Sequence, residues 1–198
     1  ADEGGPAGAV RLGDGGSDAS HTALQEADLL LAVGVNWWPK PYVPESLPVI
    51  KIDKDPSNIG GSMQVKVGLP GQAESILPQL LQGLAQTDRS NWTQLLQGLK
   101  TAWQTTLDQE TAPRTPMTPQ HIVSAIEQAL PPNAIITLDT GDHTVWFNRV
   151  FGGAQQDVLF SGKWRSLGYG LPAALAAKLA APCETAALMV EPVQGEGG

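Results

Sequence analysis

The stretch AIITLDTGDH, residues 134–143, joins a short apolar run to a polar loop that contains glycine. Two earlier stretches, LLLAVG at 29–34 and VIKIDKDPS at 49–57, have the same order of apolar run and polar loop. Short apolar runs that stop at Gly or Asp are typical of strands buried on both faces of a parallel sheet. The three stretches therefore predict three parallel strands, each followed by a loop at its carboxyl end.

Segments rich in helix-forming residues separate these runs. A helix is predicted from His21 to Asp28 with Ser20 as its N-cap, and a second helix to Leu130 with Thr118 as its N-cap. Further helices are predicted at 73–84 and 170–180, and further strands at 65–68, 158–160 and 186–190. Strands that alternate with helices are typical of a doubly wound parallel sheet. We predict an α/β protein with doubly wound parallel sheets in two Rossmann-like domains, the second truncated.

Residues 86–118 have a different pattern. Trp92, Leu99 and Trp103 recur at helical spacing among polar residues, which predicts an amphipathic helix. Prolines at 113, 116 and 119 then break the helical pattern and favour an extended connector. The predicted organisation is a central Rossmann-like domain at 1–85, a helical linker at 86–118 and a second domain at 119–198.

Composition excludes several classes of partner. Twelve Lys and Arg against 20 Asp and Glu give a formal net charge of −8, which disfavours nucleic-acid phosphates and anionic lipid surfaces. No apolar run approaches the ~20 residues of a membrane-spanning helix. The single cysteine, Cys183, forms no internal disulfide and is compatible with a cytoplasmic location. The chain has no initiator Met and ends in GEGG, so we expect it to be a piece of a longer protein.

Ligands of open parallel sheets bind beyond the carboxyl ends of the strands. That rule selects five loops, at 34–42, 53–61, 139–144, 161–170 and 191–198. Most of them contain glycine, whose missing Cβ lets a backbone approach a phosphate closely. Composition and periodicity therefore predict a nucleotide- or diphosphate-binding α/β protein.

Two blocks near the C-terminus carry a more specific resemblance. DTGDHTVWF at 139–147 and SGKWRSLGYGLPAALAAKLAAP at 161–182 resemble the start of the pyrophosphate-binding domain of thiamine-diphosphate enzymes of the acetolactate synthase and pyruvate oxidase type. SDASHTALQEADLLLAVGVNWW at 17–38 and LPVIKIDKDPSNIGGSMQVKVGLPGQA at 47–73 resemble the central domain of the same family. The resemblance covers about residues 10–182, and the order and spacing of the blocks agree.

The resemblance implies a cofactor site in the second domain. Gly141, Asp142 and His143 match family residues that approach the cofactor diphosphate or the reacting centre. Residues 165–168, Arg-Ser-Leu-Gly, match the family's Gly-x-Met-Gly. By position, the carbonyl of Arg165 would meet the aminopyrimidine, next to Ser166. The side chain of Leu167 would wedge the cofactor into a V shape. Arg165 is a departure, since the family has Gly there.

Three acidic residues extend the implied ligand set. The family expects Gly-Asp-Gly after the last strand, and its Asp binds the Mg²⁺ that anchors the diphosphate. Here Glu196 takes that place as the candidate metal ligand, because Mg²⁺ accepts either carboxylate. Asp53 and Asp55 lie where FAD-carrying family members hold the adenosine part of the flavin. Ordinary turn chemistry is the alternative interpretation of both residues.

The resemblance implies a thiamine-diphosphate- and Mg²⁺-dependent enzyme that decarboxylates a 2-oxo acid such as pyruvate and passes the two-carbon unit to an acceptor. The expected partners are a small-molecule 2-oxo acid and further subunits, as a homodimer or tetramer of the full-length protein. The family builds its site against a pyrimidine-binding domain of another subunit, so we predict that the isolated chain is inactive.

Two other classes remain open. One is a non-catalytic module that binds FAD as a nucleotide. The other rests on ALMVEPVQGEGG at 187–198, which resembles a short motif of pyridoxal-phosphate aminotransferases of the acetylornithine type.

Overall fold

The computed structural model describes residues 12–13, 15–35, 40–60, 64–153, 155–162, 164–182 and 186–189. The chain divides into two compact units. One comprises the described residues of 17–103, and the other comprises those of 1–16 and 104–198. The division falls inside a long helix, whereas the sequence predicts a boundary in the proline-rich segment that follows it. The three-part organisation 1–85, 86–118 and 119–198 stays a prediction.

The unit at 17–103 is built on a three-stranded parallel sheet with β2 at its centre. Its elements are α1 (Asp18–Glu26), β1 (Leu30–Val33), β2 (Val49–Asp53), β3 (Val65–Pro70) and α2 (Ala73–Gly83), followed by α3 (Ser90–Thr111), which continues into the other unit. The strand order is β1-β2-β3, with Leu30 opposite Val49 and Asp53 opposite Pro70. Both neighbours of β2 run parallel to it, so the carboxyl ends of the three strands lie at the same edge of the sheet, with that of β2 in the middle.

The other unit repeats this plan with β4 at the centre. Its elements are α4 (Pro119–Ala129), β4 (Ile135–Leu138), α5 (Asp142–Val150), β5 (Asp157–Phe160), α6 (Gly170–Ala180) and β6 (Ala186–Met189). The strand order is β5-β4-β6, all parallel. Thr118 caps α4 by accepting a hydrogen bond from the amide of His121, as the sequence predicts.

The side chains of β4 alternate between the two faces of this sheet, and each face meets a helix. Ile136 and Leu138 point into an apolar cluster with buried residues of α4 and α5. Thr137 points the other way and donates a hydrogen bond to the carbonyl of Gly170, at the start of α6. The predicted α/β class with doubly wound parallel sheets is confirmed.

The structure corrects three local predictions. Helix α1 begins at Asp18 because Ser17, and not Ser20, caps it, accepting a hydrogen bond from the amide of Ser20. In β1 only Ala32 is buried, since β1 is an edge strand, so this run is not buried on both faces. Helix α5 begins at Asp142, inside the predicted loop 139–144. Within the described part of the chain, no helix combines the length and the apolar character needed to cross a membrane.

Candidate functional site

The carboxyl ends of β4 and β5 bring two of the predicted loops to the same edge of the sheet. Leu138 and Phe160, the last residues of the two strands, are register partners in a parallel pair. The chain after β4 passes through Asp139 into helix α5, and the chain after β5 forms the segment 161–169 before α6. The segment 161–169 is called the Leu167 loop below.

Asp139 joins the two loops. This residue is 9% exposed, and its Oδ1 accepts hydrogen bonds from the amides of Thr140 at 2.8 Å and Gly168 at 2.9 Å. The second bond spans 29 residues of sequence, and it holds the end of the Leu167 loop against the end of β4. The structure thus joins Asp139, from which residues 141–143 follow, to Gly168, the last residue of the segment 165–168.

The backbone carbonyl of Asp139 organises the start of α5. It lies 3.0 Å from Nε2 of His143 and accepts a second bond, also 3.0 Å, from the hydroxyl of Thr144. A carbonyl only accepts, so Nε2 of His143 carries the hydrogen in this bond. Gly141 precedes α5 and Asp142 is its first, exposed residue. His143 is half-buried, and its bond to the carbonyl of Asp139 fixes the orientation of its ring.

The Leu167 loop has an unusual backbone at Arg165. Its φ is +45°, in the left-handed region that favours glycine, and its amide donates to the carbonyl of Ser161 at 2.8 Å. The amide of Ser166 donates to the hydroxyl of Ser161 at 3.2 Å. This conformation gives a physical reason for glycine in the related motif, and Arg165 adopts it at a cost in strain.

Leu167 presents its side chain to the surface. It is 62% exposed although it is a large apolar residue, and Trp164 beside it is 83% exposed. An apolar side chain on a loop at the carboxyl edge of a parallel sheet is available for contact with an aromatic ring of a ligand.

Asp53 ends β2 in the unit at 17–103 and Asp55 follows it, and the side chains of both residues bond within their own loop. Asp53 is buried, and its Oδ1 accepts from the amide of Asp55 at 3.0 Å and from Nδ2 of Asn58 at 3.3 Å. Asp55 is exposed and accepts from the hydroxyl and amide of Ser57, which holds the pKa of Asp55 below its ordinary value. The buried Lys51 completes the loop by donating from Nζ to the carbonyl of Asn58.

The candidate metal ligand Glu196 lies outside the described residues. Among the residues that the structure describes, no group of three or more His, Cys, Asp and Glu side chains could hold a metal ion. The Mg²⁺ site therefore stays a prediction.

Sequence reasoning missed the residues that organise the site. Asp139, Thr137 and Ser161 make the bonds that hold the two loops, and none was a predicted site residue. Asp139 had a signal, because it is the first polar residue after an apolar strand. No sequence signal indicated that Asp139 bonds to Gly168, because this contact between remote residues forms only in the folded chain.

Two domains of one enzyme family match this chain. Residues 2–80 match "Thiamine pyrophosphate enzyme, central domain", and residues 139–197 match "Thiamine pyrophosphate enzyme, C-terminal TPP binding domain". Both loops of the candidate site fall within the second match.

Several curated proteins are similar over most of this chain. The "Putative thiamine pyrophosphate-containing protein YdaP" of Bacillus subtilis is 32% identical over 94% of this chain and 32% of its own length. The acetolactate synthase large subunit of Corynebacterium glutamicum is 31% identical over 84% of this chain and 28% of its own length. The sulfoacetaldehyde acetyltransferase of Roseovarius nubinhibens is 29% identical over 86% and 33%, respectively. The chain spans about a third of the length of these relatives.

Proposed function

Because this chain belongs to the family of thiamine-diphosphate-dependent enzymes, we propose that its two loops at the ends of β4 and β5 form one wall of a thiamine-diphosphate site. The enzyme we infer decarboxylates a 2-oxo acid such as pyruvate and passes the two-carbon unit to an acceptor. Acetolactate synthases among the relatives support this choice of substrate class. The observation that carries the proposal is the bond from the amide of Gly168 to Asp139, which links the residue after the exposed Leu167 to the end of β4.

Each site residue then has a defined task. When bound, thiamine diphosphate supplies the carbanion that adds to the keto group of the substrate. Leu167 would fill the bend of the cofactor, a steric task that an exposed leucine can perform. The carbonyl of Arg165 would accept a hydrogen bond from the aminopyrimidine, and Ser166 would line the same stretch. Arg165 and Ser166 are held by Ser161 through its carbonyl and hydroxyl.

The loop after β4 supplies the polar side of the site. Gly141 offers a backbone without a Cβ, and Asp142 and His143 follow it in the first turn of α5. The bond between Nε2 of His143 and the carbonyl of Asp139 holds the imidazole ring beside Gly141. Mg²⁺ would neutralise the diphosphate, with Glu196 as its carboxylate ligand.

Further proposals concern the whole protein. We infer that the full-length protein works in the cytoplasm as a homodimer or tetramer, and that the isolated chain has no turnover. Release of CO₂ from pyruvate by this chain, above a heat-inactivated control, would refute the last statement.

A second candidate function is FAD binding through the unit at 17–103. The supporting observation is the loop at the carboxyl end of the central strand β2, where Asp55 is exposed. A flavin absorbance spectrum of the purified chain tests this candidate. If FAD binds here, deletion of 119–198 should leave its affinity within about tenfold, or ~1.4 kcal/mol.

The main experiment is calorimetric titration of the chain with thiamine diphosphate, with and without Mg²⁺. We expect saturable binding that Mg²⁺ strengthens, and about tenfold weaker binding in Leu167→Ala. Leu167→Met keeps the volume of the wedge and should bind as the parent does. Leu179→Ala is the matched control, because Leu179 is an 85% exposed leucine on α6. Absence of binding by the parent chain refutes the proposed site.

A further inference from the structure

The segment that follows Leu167 is fastened to β4 by a pair of complementary hydrogen bonds. Thr137 lies in β4 and Asp139 directly follows the strand, and the side chains of both reach the segment 168–170. The hydroxyl of Thr137 donates to the carbonyl of Gly170 at 3.0 Å, and Oδ1 of Asp139 accepts from the amide of Gly168 at 2.9 Å. A donor and an acceptor on the strand thus face an acceptor and a donor on the segment 168–170.

Burial makes this pair of hydrogen bonds selective for one register of the segment 168–170. Thr137 is fully buried and Asp139 is 9% exposed, so water competes poorly for either bond. A bond to a charged acceptor is also stronger than one between neutral groups. Shifting the segment 168–170 by one residue would leave a buried hydroxyl and a buried carboxylate without these partners, at a cost in free energy.

Leu167 has little packing of its own to hold it. Its side chain is mostly exposed, and the following Gly168 has φ +81°, a conformation that side chains disfavour. The position of Leu167 is therefore set through the backbone, from the anchored amide of Gly168. The same Asp139 fixes His143 and Thr144 through its carbonyl, so one residue holds both loops.

We propose that Asp139 is a positioning residue that holds the Leu167 loop against the start of α5 and so sets the shape of the cofactor wall. Its role for the cofactor rests on the proposed function, whereas its hold on Gly168 does not. Asp139 touches no reacting atom in this account; it acts through the backbone of residues 165–168.

The test is amide hydrogen exchange of the 198-residue chain, followed residue by residue by NMR without ligand. In Asp139→Ala, we expect the Gly168 amide to exchange at least tenfold faster, while amides of β2 keep their parental rates. Asp139→Asn retains an oxygen at the same place and should stay within about threefold of the parent. Asp157→Ala, which removes an exposed carboxylate from the start of β5, should leave Gly168 unchanged.

A second variant separates geometry from charge and serves if Asp139→Ala fails to fold. Asp139→Glu keeps the charge but moves the acceptor by one methylene, so we expect faster Gly168 exchange than in Asp139→Asn. A Gly168 amide that exchanges at the parental rate in a folded Asp139→Ala, or equally in the Glu and Asn variants, overturns the proposal.

Titration with thiamine diphosphate then tests the consequence for the cofactor. We expect Asp139→Ala to bind at least tenfold more weakly and Asp139→Asn to recover most of that affinity. Parental affinity despite a loosened Gly168 amide overturns the role in shaping the cofactor wall. A parent chain that does not bind overturns the proposed function and this role with it, while the exchange rates still decide whether Asp139 holds the loop.

Discussion

The ends of β2 and β4 are alike in sequence and differ in what their aspartates hold. Both strands are central in a three-stranded parallel sheet, and both lead into a buried aspartate at their carboxyl ends, Asp53 and Asp139. Asp53 bonds to residues two and five positions later and closes its own loop. Asp139 bonds to Gly168, 29 positions later, and joins two loops.

The difference teaches how a similar strand-to-loop sequence serves two purposes. A carboxylate that is satisfied within its own loop makes a rigid turn, and it gives little information about a ligand. A carboxylate that bridges two loops places side chains from distant parts of the chain at one edge of a sheet. Such an arrangement is how open α/β sheets build binding sites.

The prediction with the largest expected effect tests whether β2 and β4 are stabilised by separate hydrophobic cores. Phe147 is buried in the cluster of the unit at 104–198 and stacks on Phe151, with ring centroids 4.4 Å apart. We expect Phe147→Ala to destabilise that unit by about 3–5 kcal/mol. Amides of β2 should keep their exchange protection, as measured by NMR.

The exposed Trp164 provides the matched control for loss of an aromatic side chain. Trp164→Ala should change the free energy of unfolding by less than about 0.5 kcal/mol. Equal loss of protection in β2 and β4 on Phe147→Ala would show that the two regions unfold as one, and the comparison would lose its basis.

The second prediction is the reciprocal of the Asp139 experiment. Asp53→Ala removes the acceptor for Asp55 and Asn58, so we expect a local loss of about 1–3 kcal/mol in a buried site. The Asp55 amide should exchange faster, and the Gly168 amide should not respond. Asp53→Asn serves as the control that keeps the acceptor. A response at Gly168 would contradict the view that the side chain of Asp53 holds only its own loop.

The third prediction concerns strain in the Leu167 loop. Arg165→Gly relieves the strain of the positive φ at this position. We expect this gain in free energy to exceed the entropic cost of the greater freedom that glycine gives the unfolded chain. We expect stabilisation of about 0.5–1 kcal/mol, read from the urea midpoint at constant slope. Arg165→Ala keeps the disfavoured φ and should give no gain. Equal midpoints for the Gly and Ala variants would show that the backbone at 165 is unstrained.

The smallest effect is a pH dependence at the far end of α5. Arg149 donates from Nε and Nη2 to the two carboxylate oxygens of Glu110, at 2.8 and 2.6 Å. This hydrogen bonding, with the nearby charges of Arg149 and Arg114, lowers the pKa of Glu110 from its ordinary value of 4.5. A lowered pKa stabilises the folded state above the unfolded value, and this contribution is lost as the pH falls through the folded value.

We therefore expect Glu110→Gln to be less stable than the parent by up to about 1 kcal/mol at pH 7, since the pair is partly exposed. The difference should shrink below pH 4.5 in urea denaturation. Glu74→Gln, at an exposed carboxylate of α2, should show no such trend. A difference that persists unchanged at pH 3 would assign the effect to packing.

Sequence by itself determined the alternation of strands and helices, because hydrophobic periodicity and capping are local properties. It located β2, β4, α4 and α6 closely, and it selected the loops at the carboxyl ends of β4 and β5. The residue blocks that resemble thiamine-diphosphate enzymes also pointed to the family that the comparisons then showed. The predictions that the run at 29–33 is buried on both faces and that 139–144 is entirely loop were wrong, since both depend on which faces of the sheet are covered.

Tertiary structure decided which polar residues hold the site. Asp53 and Asp139 follow similar strands, and nothing local distinguishes a carboxylate that bonds two residues ahead from one that bonds 29 ahead. The choice depends on where β5 and α6 place the amide of Gly168, a distance set by packing of the sheet and its helices. Hydrogen bonds between residues remote in sequence form only after that packing, and for this reason the family resemblance pointed to Leu167 whereas the bond of Asp139 to Gly168 was visible only in the fold.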